Sequence, residues 1–111
     1  MIHRFGLLLC SILIGCGNGS ECSEENAEFN ITWENWGEGF FISYCNGCHS
    51  SDSSNRFGAP ENITFDTQKE AQEWLDRIHI RTVQTTDMPP GGGVIEEDLE
   101  FLEIWLDCGM K

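Results

Sequence analysis

The chain has 111 residues, enough for one small domain that buries a modest fraction of its surface. Its formal net charge is −13, from 19 acidic and 6 basic residues. That balance argues against nucleic acid, which is bound by neutralising phosphates with Lys and Arg, and against docking on anionic lipid through the folded surface. It favours a basic partner, whose approach an acidic field speeds at low salt.

Residues 1–15 read as an export signal. Arg4 precedes an apolar run from Phe5 to Ile14, which is shorter than the roughly 20 residues of a spanning helix. Leu13-Ile14-Gly15-Cys16 then resembles the lipobox of bacterial lipoproteins, whose cysteine is lipid-modified and becomes the mature N-terminus. The resemblance implies lipidation at Cys16. The protein would then be an exported, membrane-anchored lipoprotein facing the periplasm or the cell surface, in an oxidising compartment. The other reading leaves Cys16 an ordinary thiol. Residues 16–32 read as an acidic flexible tether: Gly17-Asn18-Gly19-Ser20 sets no conformation, and Glu21, Glu24, Glu25 and Glu28 repel one another. A coil of that length spans about 20 Å.

Residues 33–111 make the folded domain. Trp33, Trp36, Phe40 and Phe41 give a first helix an aromatic side, and Gly37 permits close approach of a second helix. Cys45-Asn46-Gly47-Cys48-His49 is the C-x-x-C-H arrangement of c-type haem attachment. Two thiols one helical turn apart each add to one vinyl group of a porphyrin, and the adjacent imidazole falls under the iron. Two other chemistries use such cysteines. A redox dithiol belongs in a βαβ context, and half a zinc site needs two further ligands, for which His79 and Cys108 form no compact second pair.

Ser50-Ser51-Asp52-Ser53-Ser54 opens a long loop that ends in Phe57-Gly58-Ala59-Pro60. Thr67-Gln68-Lys69-Glu70 fits a capping box, and Ala71, Trp74, Leu75 and Ile78 form one stripe, predicting a middle helix over 67–82. Met88-Pro89-Pro90 and Gly91-Gly92-Gly93 follow as a stiffened loop and turn. Leu99, Leu102, Trp105 and Leu106 recur at helical spacing behind Glu96, Glu97 and Asp98, which suit a helix N-terminus. Strand-type alternation is absent, so the fold class is mostly α with long loops.

Over residues 33–111 the chain resembles the small class I cytochromes c. Four features carry the likeness: the attachment motif, Gly37 and Phe41 placed eight and four residues before Cys45, the Met88-Pro89-Pro90 loop, and the terminal amphipathic helix. The resemblance implies a domain of about three to four helices wrapped around one covalent haem c. It implies His49 and Met88 as axial ligands of iron, and a Pro60 carbonyl accepting a hydrogen bond from His49. His79 is the rival sixth ligand, and Met110 a weaker one. Cys22 and Cys108 remain, and in an oxidising compartment they are expected to form a disulfide, the alternative being free or intermolecular thiols.

The function expected is outer-sphere electron transfer with redox protein partners that dock through a basic face, and no small-molecule substrate is expected. An enzymatic role is less favoured, since two axial ligands leave no open iron position. The alternatives are a haem-based sensor or peroxidase-like enzyme with an open iron site, and a structural or metal-binding lipoprotein whose cysteines carry no haem.

Overall fold

The computed structural model describes residues 22–111; the segment expected to be an export signal, Cys16 and the expected tether up to residue 21 lie outside the described residues. Six α-helices and two π-helical turns make up the regular structure, with no strand among the described residues. The mostly helical architecture expected from the sequence is therefore present. No helix among the described residues is long and apolar enough to cross a membrane.

Local chemistry explains where the helices begin. α1 (Glu24–Ala27) is one turn capped by Ser23, whose Oγ accepts the Asn26 N–H at 3.2 Å. The first long helix starts at Thr32 with a reciprocal cap that the sequence reading missed. Asn35 N–H donates to Thr32 Oγ1 at 3.1 Å, and Thr32 N–H donates to Asn35 Oδ1 at 2.8 Å. Asn stands there in place of the usual Glu or Gln. The helix opens as a π turn over Trp33–Gly37, continues as α2 (Glu38–Tyr44), and kinks at Cys45 into α3 (Asn46–His49).

The middle helix is not continuous. α4 (Gln68–Glu73) breaks at Trp74, α5 (Leu75–His79) follows, and a second π turn runs over Ile80–Gln84. Thr67 caps α4, but only half of the expected capping box forms. Glu70 N–H donates to Thr67 Oγ1 at 3.2 Å, whereas Glu70 Oε2 accepts from Asp66 N–H and Thr64 Oγ1, each at 2.9 Å. The carboxylate thus ties down the strap before the helix. α6 (Glu96–Asp107) carries Glu96, Glu97 and Asp98 in its first turn, where negative charge meets the positive end of the helix dipole.

The core is aromatic. Trp105, Phe41, Leu102 and Met110 are fully enclosed, with Phe40, Phe65, Ala71, Ile78 and Leu106 around them. Gly37 lies under Trp105 so closely that a methyl group there would stand 2.6 Å from Cζ2. The expected close approach of two helices is this contact. Met110 is a core residue, and its carbonyl accepts from Gln68 Nε2 at 2.8 Å and Gln72 Nε2 at 3.0 Å.

The acidic stretch departs from the sequence expectation. Cys22 is disulfide-bonded to Cys108, and from there to residue 32 the chain lies on α6 rather than acting as a free tether. Asp107 Oδ2 accepts from Asn26 Nδ2 at 2.8 Å, and Phe29 meets the Phe101 ring edge-on. These contacts offset the repulsion among the glutamates, so residues 22–32 are part of the folded structure.

Candidate functional site

Cys45, Cys48 and His49 are gathered by one backbone atom. The Cys45 carbonyl accepts the N–H of Cys48 at 3.1 Å and that of His49 at 2.9 Å, so all three residues belong to a single tight turn. Both thiols are free and half-buried. Burial pushes the Cys45 thiol up to about 12, with the neighbouring Cys48 adding to the rise. A redox dithiol needs the opposite, a depressed thiol that attacks as thiolate at neutral pH. With no strand among the described residues, the βαβ setting of such enzymes is missing as well.

His49 is held on its inner side. Its Nδ1 lies 3.0 Å from the carbonyl oxygen of Ile63, and its ring packs against Phe65 with centroids 4.8 Å apart. A carbonyl only accepts, so Nδ1 carries the proton and Nε2 keeps the lone pair that a metal would use. The resemblance implied Pro60 as the acceptor. The structure places it otherwise: the Pro60 carbonyl is taken by Arg56 Nη2 at 2.7 Å and by Ile63 N–H at 3.0 Å. The turn at Pro60 thereby brings Ile63 forward to face the imidazole.

A strap over residues 63–66 runs alongside α3 and fixes it. Phe65 N–H donates to the His49 carbonyl at 3.2 Å, Asn46 Nδ2 donates to the Phe65 carbonyl at 3.1 Å, and Ser51 N–H donates to Asp66 Oδ2 at 2.8 Å. Hydrogen bonds from Ser50 and Ser51, with a smaller pull from Arg56, hold the Asp66 carboxyl below its usual range. Asn46 Oδ1 is buried without a partner, which nothing in the structure explains. Tyr44, just before the motif, donates to Asp98 Oδ2 at 2.6 Å and so ties the end of α2 to the start of α6. That bond raises the phenol above its ordinary pKa.

Sequence reasoning missed Arg56, Ile63 and Phe65. Arg56 had one signal: it is the lone basic residue between Arg4 and Lys69, and it sits in the loop after the motif.

Met88 stands on the loop after the second π turn, 38% exposed, which sets it apart from the core methionine Met110. Its N–H donates to the Arg81 carbonyl at 3.0 Å, and the Arg81–Asp87 ion pair at 2.7 Å clasps the loop's base. His79 is placed elsewhere. It lines an open cleft of about 630 Å³ between α5 and α6, with Asp76, Glu100, Glu103 and Asp107, and none of Cys45, Cys48 or His49 borders that cleft. Cys108 is committed to Cys22, so it offers no thiolate to a zinc site.

The donor set fits a covalent haem on two observations. Two free thiols and a lone-pair-bearing imidazole share one turn, and Phe57, on the loop that follows the motif, is 77% exposed, with Ile95 at 57% and Met88 also exposed on later loops. Monomeric surfaces carry single exposed apolar residues routinely, so the first observation weighs more. No protein-family model, curated protein or solved structure matches this chain.

Proposed function

We propose that the chain is an electron carrier of the class I cytochrome c type, exported and anchored to a membrane through lipid on Cys16. In this reading Cys45 and Cys48 would hold one haem c by thioether bonds, and His49, through Nε2, and Met88 would ligate its iron. Haem, when bound, supplies a one-electron iron couple. The chain's own residues set how it is used. Ile63 fixes the imidazole tautomer and orientation, as a carbonyl bonded to the outer nitrogen of a metal-binding histidine does generally. A thioether from Met88 would favour ferrous iron and raise the potential.

The single observation that carries this reading is the His49 geometry: Nδ1 is tied to a backbone carbonyl while Nε2 is left for a metal, on the same turn as two free cysteines. A dithiol does not need an oriented imidazole, and the raised Cys45 thiol disfavours one.

The test is a denaturing gel stained for haem, on protein made with c-type maturation machinery. Stain should stay with the wild-type band and vanish when Cys45 and Cys48 are both replaced by Ala. A wild-type band without stain, beside a matured control, would overturn the proposal in favour of a lipoprotein that carries no haem. In the loaded protein, Met88→Ala should lower the midpoint potential and allow carbon monoxide to bind ferrous iron. Carbon monoxide binding to the wild type would instead indicate an open iron site, as in a sensor or peroxidase.

A further inference from the structure

The Ile63 carbonyl is shared. Besides His49 Nδ1 at 3.0 Å, it accepts Arg56 Nη2 at 3.1 Å. The same guanidinium donates to the carbonyls of Ser50 at 2.6 Å, Pro60 at 2.7 Å and Ala59 at 3.3 Å. Every one of these acceptors is neutral, so no carboxylate cancels the charge by direct hydrogen bonding. Asp66 is near enough for Arg56 to lower its pKa, but its own hydrogen bonds are with Ser50 and Ser51. A half-buried cation therefore rests on the oxygen that orients the imidazole.

We propose that Arg56 is a positioning residue that weakens the Ile63 carbonyl as an acceptor for His49 and so raises the reduction potential of iron held at Nε2. The inference rests on the electron-carrier reading above. A carbonyl oxygen has two lone pairs in one electron distribution, and a cation on one draws density from the other. The bond from Nδ1–H to Ile63 is then weaker than to a carbonyl without a cation. A weaker bond leaves the imidazole less anionic and less electron-donating, because acceptors at the outer nitrogen increase ligand basicity. Reduced iron carries one positive charge fewer than oxidised iron. Less donation and a nearby cation both favour that form.

The competing role is scaffolding alone, since four carbonyls on one side chain also hold the loop in shape. The two roles predict opposite changes at His49. Removing a charge that weakens the bond strengthens the bond from Nδ1–H, whereas loosening a loop weakens it.

The experiment uses the matured, haem-loaded full chain as wild type, Arg56→Gln and Arg56→Lys. It reads the midpoint potential by redox titration and the His49 Nδ1–H proton resonance in the reduced protein, with carbon monoxide added wherever the iron is five-coordinate. Arg56→Gln should shift the oxidised-to-reduced ratio at fixed potential about tenfold toward oxidised, which is 59 mV for a one-electron couple. The Nδ1–H resonance should move downfield. Arg56→Lys keeps the charge but loses the fork, and should move both readouts the same way by less.

An unchanged midpoint, or an upfield Nδ1–H with faster exchange, overturns the proposal and leaves Arg56 as scaffold. If the Gln variant does not accumulate folded, the Lys variant decides by the same criteria. A wild-type chain without covalent haem overturns the electron-carrier reading and this inference with it. A loaded wild type whose potential ignores both substitutions overturns this inference alone.

Discussion

Trp105 is packed on its sides by Trp33, Trp36 and Phe41, with ring centroids 5.8 to 6.2 Å away, and Gly37 fills the remaining approach. Two effects of Gly37→Ala compete. Alanine improves helix propensity by about 1 kcal/mol, but its methyl meets an enclosed ring that has nowhere to go. Overpacking of this kind typically costs about 1–3 kcal/mol, so the net change should be a loss of up to about 2 kcal/mol. Gly39 is the control, because a Cβ there meets nothing within 4 Å. Gly39→Ala should stabilise by up to about 1 kcal/mol. Thermal unfolding of both variants reads the difference directly. Equal effects of the two substitutions would mean that the indole yields and that the Gly37 contact does not limit the crossing.

At the scale of elements, the contrast between what was legible and what was not follows the range of the forces. The helices over 68–84 and 96–107 were legible because apolar spacing and caps act within a few residues: Ala71, Ile78, Leu102, Trp105 and Leu106 all face the core as their periodicity predicts. The turn from Cys45 to His49 is equally local. The His49 acceptor was not legible, since a backbone carbonyl has no side-chain signature. Ile63 reaches it through the turn at Pro60, whose carbonyl accepts the Ile63 N–H at 3.0 Å. The placement of residues 22–32 was hidden for a related reason. Their composition reports repulsion; the Cys22–Cys108 pairing was expected from the leftover cysteines, but the bond from Asn26 to Asp107 and the Phe29–Phe101 contact have no signature in the sequence. The Cys22–Cys108 bond closes a separation of 86 residues, for which the chain-entropy model gives about 4–5 kcal/mol, with native disulfides in small secreted domains typically giving 2–5. Replacing both cysteines by Ser should lower the urea midpoint accordingly and expose the chain between Glu24 and Asn30 to proteolysis. An unchanged urea midpoint, with residues 22–32 still protected, would show that the Asp107 bonds and the Phe29–Phe101 contact suffice.

For the molecule as a whole, the net charge of −13 is the property a partner meets first. It is not remote from the motif. A cleft of about 450 Å³ beside α3 is lined by Glu38 and Asp66, together with Trp33, Ile42, Asn46, Gly47 and Ser50, and Ile42 is 63% exposed. An apolar side chain between two carboxylates is suited to a basic partner with an apolar centre. The hydrogen bonds from Ser50 and Ser51 that lower Asp66 keep its own charge in place below the ordinary carboxylate range. For stability the sign is the same. A depressed carboxyl stabilises the fold above its unfolded pKa, and that contribution is lost as pH falls through the folded one. The proposed electron carrier should therefore discriminate by charge. Oxidation of its reduced form by a cationic metal-ammine complex should slow as ionic strength rises from about 0.01 to 0.1 M, over which the Debye length shrinks from about 30 to 10 Å. Oxidation by ferricyanide, an anion, should quicken over the same range. Stopped-flow measurement with both oxidants distinguishes a field acting at the electron port from charge spread elsewhere. Rates indifferent to salt with either oxidant would place the port away from Glu38 and Asp66, and would remove the acidic surface from the choice of partner.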